Sequence, residues 1–267
     1  MKFGIFTAVD NDKAKELEKE LKSFLLKRKH QIIGRLKGSD AVLVLGGDGT
    51  LIHTACEHVQ LAVPFFGINV GTLGFLSAAE ADDWKQAVSK IEKGEYFVSE
   101  RMTLEASISR LTTNDERLTF RAVNEIVVKG MYRVVDLEIV VNGQKFLEIS
   151  GDGVIVSTQT GSTAYSLSAG GPIVDPELDC LVLTPVNAHG LPIPSIVLSP
   201  SDHIEIKVVE GEDISLIIDG QEHTKVTEGQ SIGVDKGKYR VRFGYLDKSH
   251  FLKALNAKFG LAGRLSK

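Results

Sequence analysis

Cysteine is nearly absent from this 267-residue chain, with Cys56 and Cys180 the only two. Two thiols without Cys/His spacing of metal-ligand type make neither a disulfide framework nor a structural zinc site, and they fit a reducing compartment. Long apolar runs are missing too. Stretches such as 41–45 and 61–66 fall far short of the roughly 20 residues that cross a bilayer. The first nine residues meet Asp10 before any long apolar run or small-residue cleavage site, which predicts no export and a cytoplasmic protein. Neither sign of charge dominates. With 31 Lys+Arg against 35 Asp+Glu, and a net charge of −4, the chain gives no reason to expect a nucleic-acid partner or a membrane surface. An anionic small molecule must then be met by local backbone dipoles or a metal rather than by a general positive field. No Walker A sequence ending in Gly-Lys-Ser/Thr occurs, no Gly-x-Gly-x-x-Gly follows the first strand, and no Ser/His/Asp or His-Glu-x-x-His arrangement is evident.

What is present is ordinary globular composition, 43% hydrophobic and 25% charged, in a length that suits one large or two small domains. The first third alternates in period. Lys2–Thr7 reads as a buried strand, and Asn11 or Asp12 caps a helix whose Ala14, Leu17, Leu21, Phe24 and Leu25 recur at three and four. Ala41–Leu45 is an all-apolar strand of the kind covered on both faces in a parallel sheet. A Gly-rich turn, a second helix and a strand over Pro64–Ile68 follow, then a helix after Asp82 or Asp83 with Trp84, Ala87, Val88 and Ile91 on one face. This βαβα order predicts an α/β domain with a doubly wound parallel sheet over residues 1–96. Beyond Tyr96 short alternating runs take over. Asn142–Gly143 and Asp219–Gly220 supply hairpin turns, and Ile204, Ile206, Val208, Ile214, Leu216 and Ile218 alternate with other residues, which predicts a β-rich domain over 97–245. In the remainder, 246–267, Ser249 is placed to cap a last helix with Phe251, Leu252, Leu255 and Phe259 on one side and Gly260 as its stop.

Four segments and one histidine carry chemistry. Gly46–Gly47–Asp48–Gly49–Thr50 stands at the carboxyl end of a buried strand and the start of a helix, where ligands bind in open α/β sheets and helix N–H groups favour phosphate. Asp48 would repel phosphate, so it makes sense there as a proton acceptor from an attacking hydroxyl or as a group working through Mg²⁺. The bland alternative is a plain β-turn. Gly67 to Leu76 is a second tight loop after a strand, in which Leu73 and Phe75 offer an apolar wall to a flat ring or simply close the sheet edge. Asn124–Glu125 is a polar pair before the apolar Ile126–Val127–Val128, suited to binding a ribose or orienting a metal, with a solvated strand end as the commoner explanation. The run from Ser150 to Gly171 packs two Gly turns, many hydroxyls and Tyr165 around one short strand, which suits a polyhydroxylated ligand. His53, one turn into the helix after the first loop, is within reach of a phosphate.

Together these residues resemble the NAD kinases of bacterial and archaeal type. The Gly46–Thr50 turn, the Gly71–Leu76 loop, Asn124–Glu125, the Gly151–Gly171 run, Asp219–Gly220–Gln221 and a terminal helix from Phe251 to Arg264 occur in that family's order. The first motif alone is shared with diacylglycerol and sphingosine kinases and with phosphofructokinases; the Gly151–Gly171 run is the specific one. The resemblance implies transfer of the γ-phosphoryl group of ATP, or of polyphosphate, to the 2′-hydroxyl of the adenosine ribose of NAD, giving NADP, with Mg²⁺ or another divalent cation accompanying ATP. Asp48 would be the catalytic proton acceptor. Gly46, Gly47, Gly49 and Thr50 would cradle phosphate, and His53 and Phe75 would border NAD. Asn124 and Glu125 would bind the second nucleoside portion and Asp152 the nicotinamide side. Thr160, Thr163, Ala164, Tyr165, Ser166, Leu167 and Ser168 would line the dinucleotide site, and Gln221 would close it. No residue is assigned as a direct metal ligand. The resemblance further implies that the last helix packs back on the N-terminal domain and that the chain forms a homodimer or homotetramer. The rivals are a lipid or sugar kinase sharing the Gly-Gly-Asp-Gly-Thr turn, and a non-catalytic dinucleotide-binding regulator. The chain departs from the family pattern at Gln159, where Pro is usual, at His53, where Arg is common, and at Ser150, an often basic position for which Arg133 could compensate. The stretch 184–194 also lacks the family's usual Ser and Arg.

Overall fold

The computed structural model describes residues 1–71, 74–109, 117–190 and 192–260. Thr72 and Leu73 of the second loop, Leu191, and the end of the terminal segment from Leu261 to Arg264 lie outside the described residues.

The chain divides into two compact units, residues 1–100 with 241–267, and residues 101–240. In the first, β1 (Lys2–Thr7), α1 (Asp12–Lys27), β2 (Gln31–Ile33), β3 (Ala41–Leu45), α2 (Asp48–Glu57), β4 (Phe65–Asn69), β5 (Ser77–Glu80) and α3 (Trp84–Glu92) follow one another. Asn11 caps α1 as its sequence position suggests, its Oδ1 accepting from Ala14 N–H at 3.0 Å. The strands pair in parallel in the order β2-β1-β3-β4-β5. From β1 the chain steps one way to β2 and the other way to β3 and β4, so the carboxyl ends of β1 and β3 flank a topological switch point. All five residues of β3 are buried, as a strand covered on both faces must be. Ala14, Leu21 and Leu25 of α1 and Trp84, Val88 and Ile91 of α3 share a core with Phe3, Leu43, Leu45, Phe66 and Ile68.

The chain leaves this unit within β6 (Phe97–Ser109). The second unit adds β7 (Arg117–Ala122), β8 (Glu125–Gly130), β9 (Val135–Val141), β10 (Gln144–Gly151), β11 (Gly153–Thr158), the one-turn helix α4 (Tyr165–Ser168), β12 (Leu181–Val186), β13 (Ile196–Leu198), β14 (Ile204–Glu210), β15 (Ile214–Ile218) and β16 (Glu222–Val226). One antiparallel sheet runs β13-β12-β11-β8-β15-β16. Strands β10, β9 and β14 form antiparallel neighbours with β17 (Ser231–Tyr245), along which the chain returns to the first unit. Ile126, Val128, Val154, Val156, Leu181, Leu183 and Leu216 of the first sheet share a core with Leu137, Ile139, Ile204, Ile206 and Val234. Both hairpin turns have positive φ at both central residues, +50° and +78° at Asn142–Gly143 and +48° and +68° at Asp219–Gly220.

The last helix, α5 (His250–Phe259), belongs to the first unit and ends at Gly260 with φ +63°. Two details differ from the sequence expectation. Ser249 does not cap α5 through its side chain; instead Asp247 Oδ1 accepts from Ser249 N–H at 2.8 Å and from Ser249 Oγ at 2.7 Å. The buried side of α5 is Ala254 and Leu255, while Leu252 is 65% exposed. At the head of the helix the His250 ring stacks on Tyr245 with centroids 5.0 Å apart.

Candidate active site

In the first unit the chain turns at Gly46 from the end of β3 into α2. A Cβ on Gly46 would lie 2.8 Å from the Thr50 side chain, so the tight turn needs glycine, and Gly47 caps the helix in an extended conformation with open space where its side chain would be. Asp48 is the first residue of α2. Its carboxylate does not hang free: Oδ2 accepts from Phe75 N–H at 2.6 Å and Oδ1 from Leu76 N–H at 3.2 Å. Each oxygen keeps a second lone pair, so the carboxylate is fixed in direction and still able to accept a proton. The loop that holds it passes so close that a Cβ on Gly74 would fall 2.0 Å from Oδ1. Phe75 is half-buried. His53 is exposed on α2, 3.8 Å from Glu57.

In the second unit the site is built around the start of β8. Asp219, at the tip of the β15–β16 hairpin, accepts from Val123 N–H (2.8 Å), Asn124 N–H (2.7 Å) and Glu125 N–H (3.0 Å), while its own N–H donates to Glu125 O. Thr158, at the end of β11, clamps the other side. Its N–H donates to Asn124 O, its hydroxyl donates to Val123 O at 2.6 Å, and the same Oγ1 accepts from Thr160 and Gly161 N–H. A Cβ on Gly161 would come 2.2 Å from Asn124 O, so the turn after β11 is pressed against Asn124. Glu125 is 4% exposed, its Oε2 has no partner, and Tyr165 N–H donates to its carboxylate. Burial, with the Asp219 charge adding to it, pushes its pKa up to about 8. At pH 7 Glu125 is therefore mostly the neutral acid, with an O–H to donate. Ser166 spends its hydroxyl on Thr184 Oγ1 at 3.0 Å.

The matches to known proteins cover both units. A family model for the ATP-NAD kinase N-terminal domain fits residues 30–96, and one for the ATP-NAD kinase C-terminal domain fits residues 123–245. The chain belongs to the NAD kinase family. It is 43% identical over 229 residues to the NAD kinase of Clostridium botulinum (strain Kyoto / Type A2), covering 84% of this chain and 80% of that protein. It is 34% identical over 277 residues to the NAD kinase of Treponema denticola, covering 98% and 97%. An NAD kinase from Archaeoglobus fulgidus solved in complex with ATP superposes with a TM-score of 0.76 at 26% identity, covering 95% of this chain and 96% of that one. Yeast NADH kinase complexed with NADH shares the fold, with a TM-score of 0.86 at 23% identity, covering 100% and 90%.

Within this NAD kinase family member, Asn124, Glu125, Thr160, Thr163, Ala164, Tyr165, Ser166, Leu167 and Ser168 fall in one neighbourhood around the β8–β11 ends, and Gln221 follows directly on the Asp219 turn. Asp152 does not join them. It precedes β11 at the strand's opposite end, roughly 17–20 Å from Thr158 at about 3.3 Å per residue, and takes a hydrogen bond from Asn187 Nδ2 at 2.7 Å. Arg133 pairs with Glu212 and is 73% exposed on its side chain, so it supplies no inward charge in place of a basic residue at Ser150. Gln159, in place of Pro, is buried and tied by its Nε2 to Asp179, which Arg240 and Lys236 also grip. Sequence reasoning left four contributors unassigned: Asp219 and Thr158, which hold Asn124–Glu125, and Gly74 and His250, which meet the loop on Asp48.

Proposed function

We propose the following division of labour for the NAD kinase activity that family membership carries. ATP, accompanied by a divalent cation as MgATP, is the phosphoryl donor, and the 2′-hydroxyl of the adenosine ribose of NAD is the acceptor. The ribose oxygen attacks the γ-phosphorus, the bond to the β-phosphate oxygen breaks, and the ribose proton passes to Asp48, leaving NADP and ADP. The observation that carries this reading is the Asp48 carboxylate, aimed by two backbone N–H groups at the head of α2 and beside the glycine turn that ends β3. Backbone N–H groups at a helix start, with Gly46, Gly47, Gly49 and Thr50, suit phosphate oxygens. Most of the rate then comes from alignment and electrostatic stabilisation, since phosphoryl transfer needs little covalent help. Among the described residues no group of three or more His, Cys, Asp or Glu is placed to hold a metal ion.

Asn124 and neutral Glu125 would bind a nucleoside portion, with Thr160, Thr163–Ser168 and Gln221 lining the dinucleotide. Phe75 and His53 would border it. A cytoplasmic homodimer or homotetramer is the form in which we expect the enzyme to work. The test is to incubate the purified chain with Mg²⁺, NAD and ATP, and to follow NADP with an NADP-specific dehydrogenase, with polyphosphate as a second donor. Asp48→Asn should fold normally and lose at least a hundredfold in turnover; near-normal NADP formation would remove Asp48 from the role of base. NADP from neither donor would turn attention to lipid and sugar acceptors.

A further inference from the structure

Asp48 is oriented by the backbone of Phe75 and Leu76, and that backbone is in turn gripped by α5. His250 Nε2 lies 3.0 Å from Phe75 O, close enough for the ring N–H to donate. The other face of this peptide segment is engaged as well: the Lys258 ammonium sits 4.6 Å from the centroid of the Phe75 ring, and the Phe259 ring lies 6.5 Å from it. His250 is itself braced, its ring stacked on Tyr245, which stacks on Phe97 at 5.4 Å. A continuous set of contacts therefore runs from Phe97 through Tyr245, His250 and the Phe75 carbonyl to the two N–H groups on Asp48. We propose that His250 is a positioning residue for the phosphoryl-transfer step, fixing the 74–76 backbone so that the Asp48 carboxylate keeps the direction needed to receive the ribose proton. The proposal rests on the assignment of Asp48 as proton acceptor.

A peptide unit held only by its neighbours can rock about its flanking φ and ψ angles, and a rocking amide carries its carboxylate partner with it. Proton acceptance by a misdirected carboxylate is slow even when substrate binds normally. Gly74, directly before the segment, has no side chain to stiffen it, so stiffness must come from outside the loop. The Phe75 carbonyl and ring are the handles, and α5 holds both. His250 touches neither phosphate nor ribose in this scheme and acts through Phe75 alone.

His250→Phe keeps a ring for the stack on Tyr245 and removes the donor to Phe75 O. The expected result is a fall in kcat of about tenfold, KM for NAD and ATP within twofold of the parent, and faster amide hydrogen exchange in a peptide covering 74–76. His250→Gln, whose amide N–H can reach the same carbonyl, should recover most of the turnover, whereas His250→Met, of similar length without a donor, should not. If the phenylalanine variant does not fold, the Gln and Met pair carries the comparison. Turnover within twofold of the parent in the folded donor-free variants, or a Gln variant no better than the Met one, would overturn the proposal. Asp48→Asn run in parallel separates the two readings: if that variant stays active, the base assignment fails, whereas an inactive Asp48→Asn beside a fully active His250→Phe sinks only the role of His250.

Discussion

A single methyl group added at position 74 would be placed 2.0 Å from Oδ1 of Asp48, inside any permissible contact distance. Either the loop or the carboxylate must then move, and the loop carries the two N–H groups that aim the carboxylate. Gly74→Ala is therefore expected to cost turnover by a factor of ten or more while leaving the melting temperature within a few degrees; parallel kcat and thermal-melt measurements check it. Gly74 was readable from the sequence as one glycine in a tight loop, but not as a residue whose neighbour is Asp48, 26 positions earlier. The same limit applies to Gln159. Its place in the loop was legible, whereas its anchor on Asp179 depends on a residue 20 positions away that local pattern does not mark. His53 reads as a phosphate contact from its spacing after the glycine turn, and in the fold it stands exposed next to Glu57. Single-residue roles follow from sequence when they are made by local backbone, and escape it when they are made across loops.

The element in which this matters most is the β15–β16 hairpin. Asp219–Gly220 is legible as a type I′ turn because positive φ at both central residues selects for Asn, Asp and Gly. What the turn does was not legible: the side chain of Asp219 receives three N–H groups at the entrance of β8 and so sets the position of Asn124 and Glu125. Hydrogen bonds to a charged acceptor contribute roughly 1.5–3 kcal/mol each and are not additive when they share that acceptor. Asp219→Ala leaves three donors without it and should destabilise the protein by about 3 kcal/mol, seen as a lowered denaturant midpoint. It should also raise KM for NAD by tenfold or more, since the polar pair loses its support. If KM holds while the midpoint falls, Asp219 is a stability residue and the pair is positioned by Thr158 alone. At this scale the regular strands and helices are legible in the sequence. β1 and β3 have the expected limits, and the buried Trp84, Ala87, Val88 and Ile91 of α3 are the residues on its apolar period. The last helix is less legible: its buried side is Ala254 and Leu255, while Leu252 of its apolar period is 65% exposed.

For the molecule as a whole, an α/β unit followed by a β-rich unit follows from the change of period near Tyr96. The points where the chain crosses do not, because they fall inside the long strands β6 and β17 with no linker composition to mark them. Stability is also a property of the whole chain, and its pH dependence is governed by carboxyl groups shifted in opposite directions. Asp179, gripped by Arg240 and Lys236, is held down to about 2, so its contribution is present above its unfolded value near 4 and is lost as pH falls through about 2. Glu125 is pushed the other way, up to about 8. Between its unfolded value near 4.5 and that figure the unfolded chain has released a proton that the folded chain retains, so stability declines as pH rises, by up to about 1.4 kcal/mol per pH unit, and levels off above pH 8. Glu125→Gln substitutes a neutral group of the same shape and removes that dependence. The ligand-free variant is therefore expected to be more stable than the parent at pH 8, with a gap that narrows steadily toward pH 5, in thermal melts taken at pH 5, 6.5 and 8. A gap of the same size at all three values would mean that Glu125 is ionised in the folded protein, and the neutral acid would then be unavailable to donate a hydrogen bond to a nucleoside.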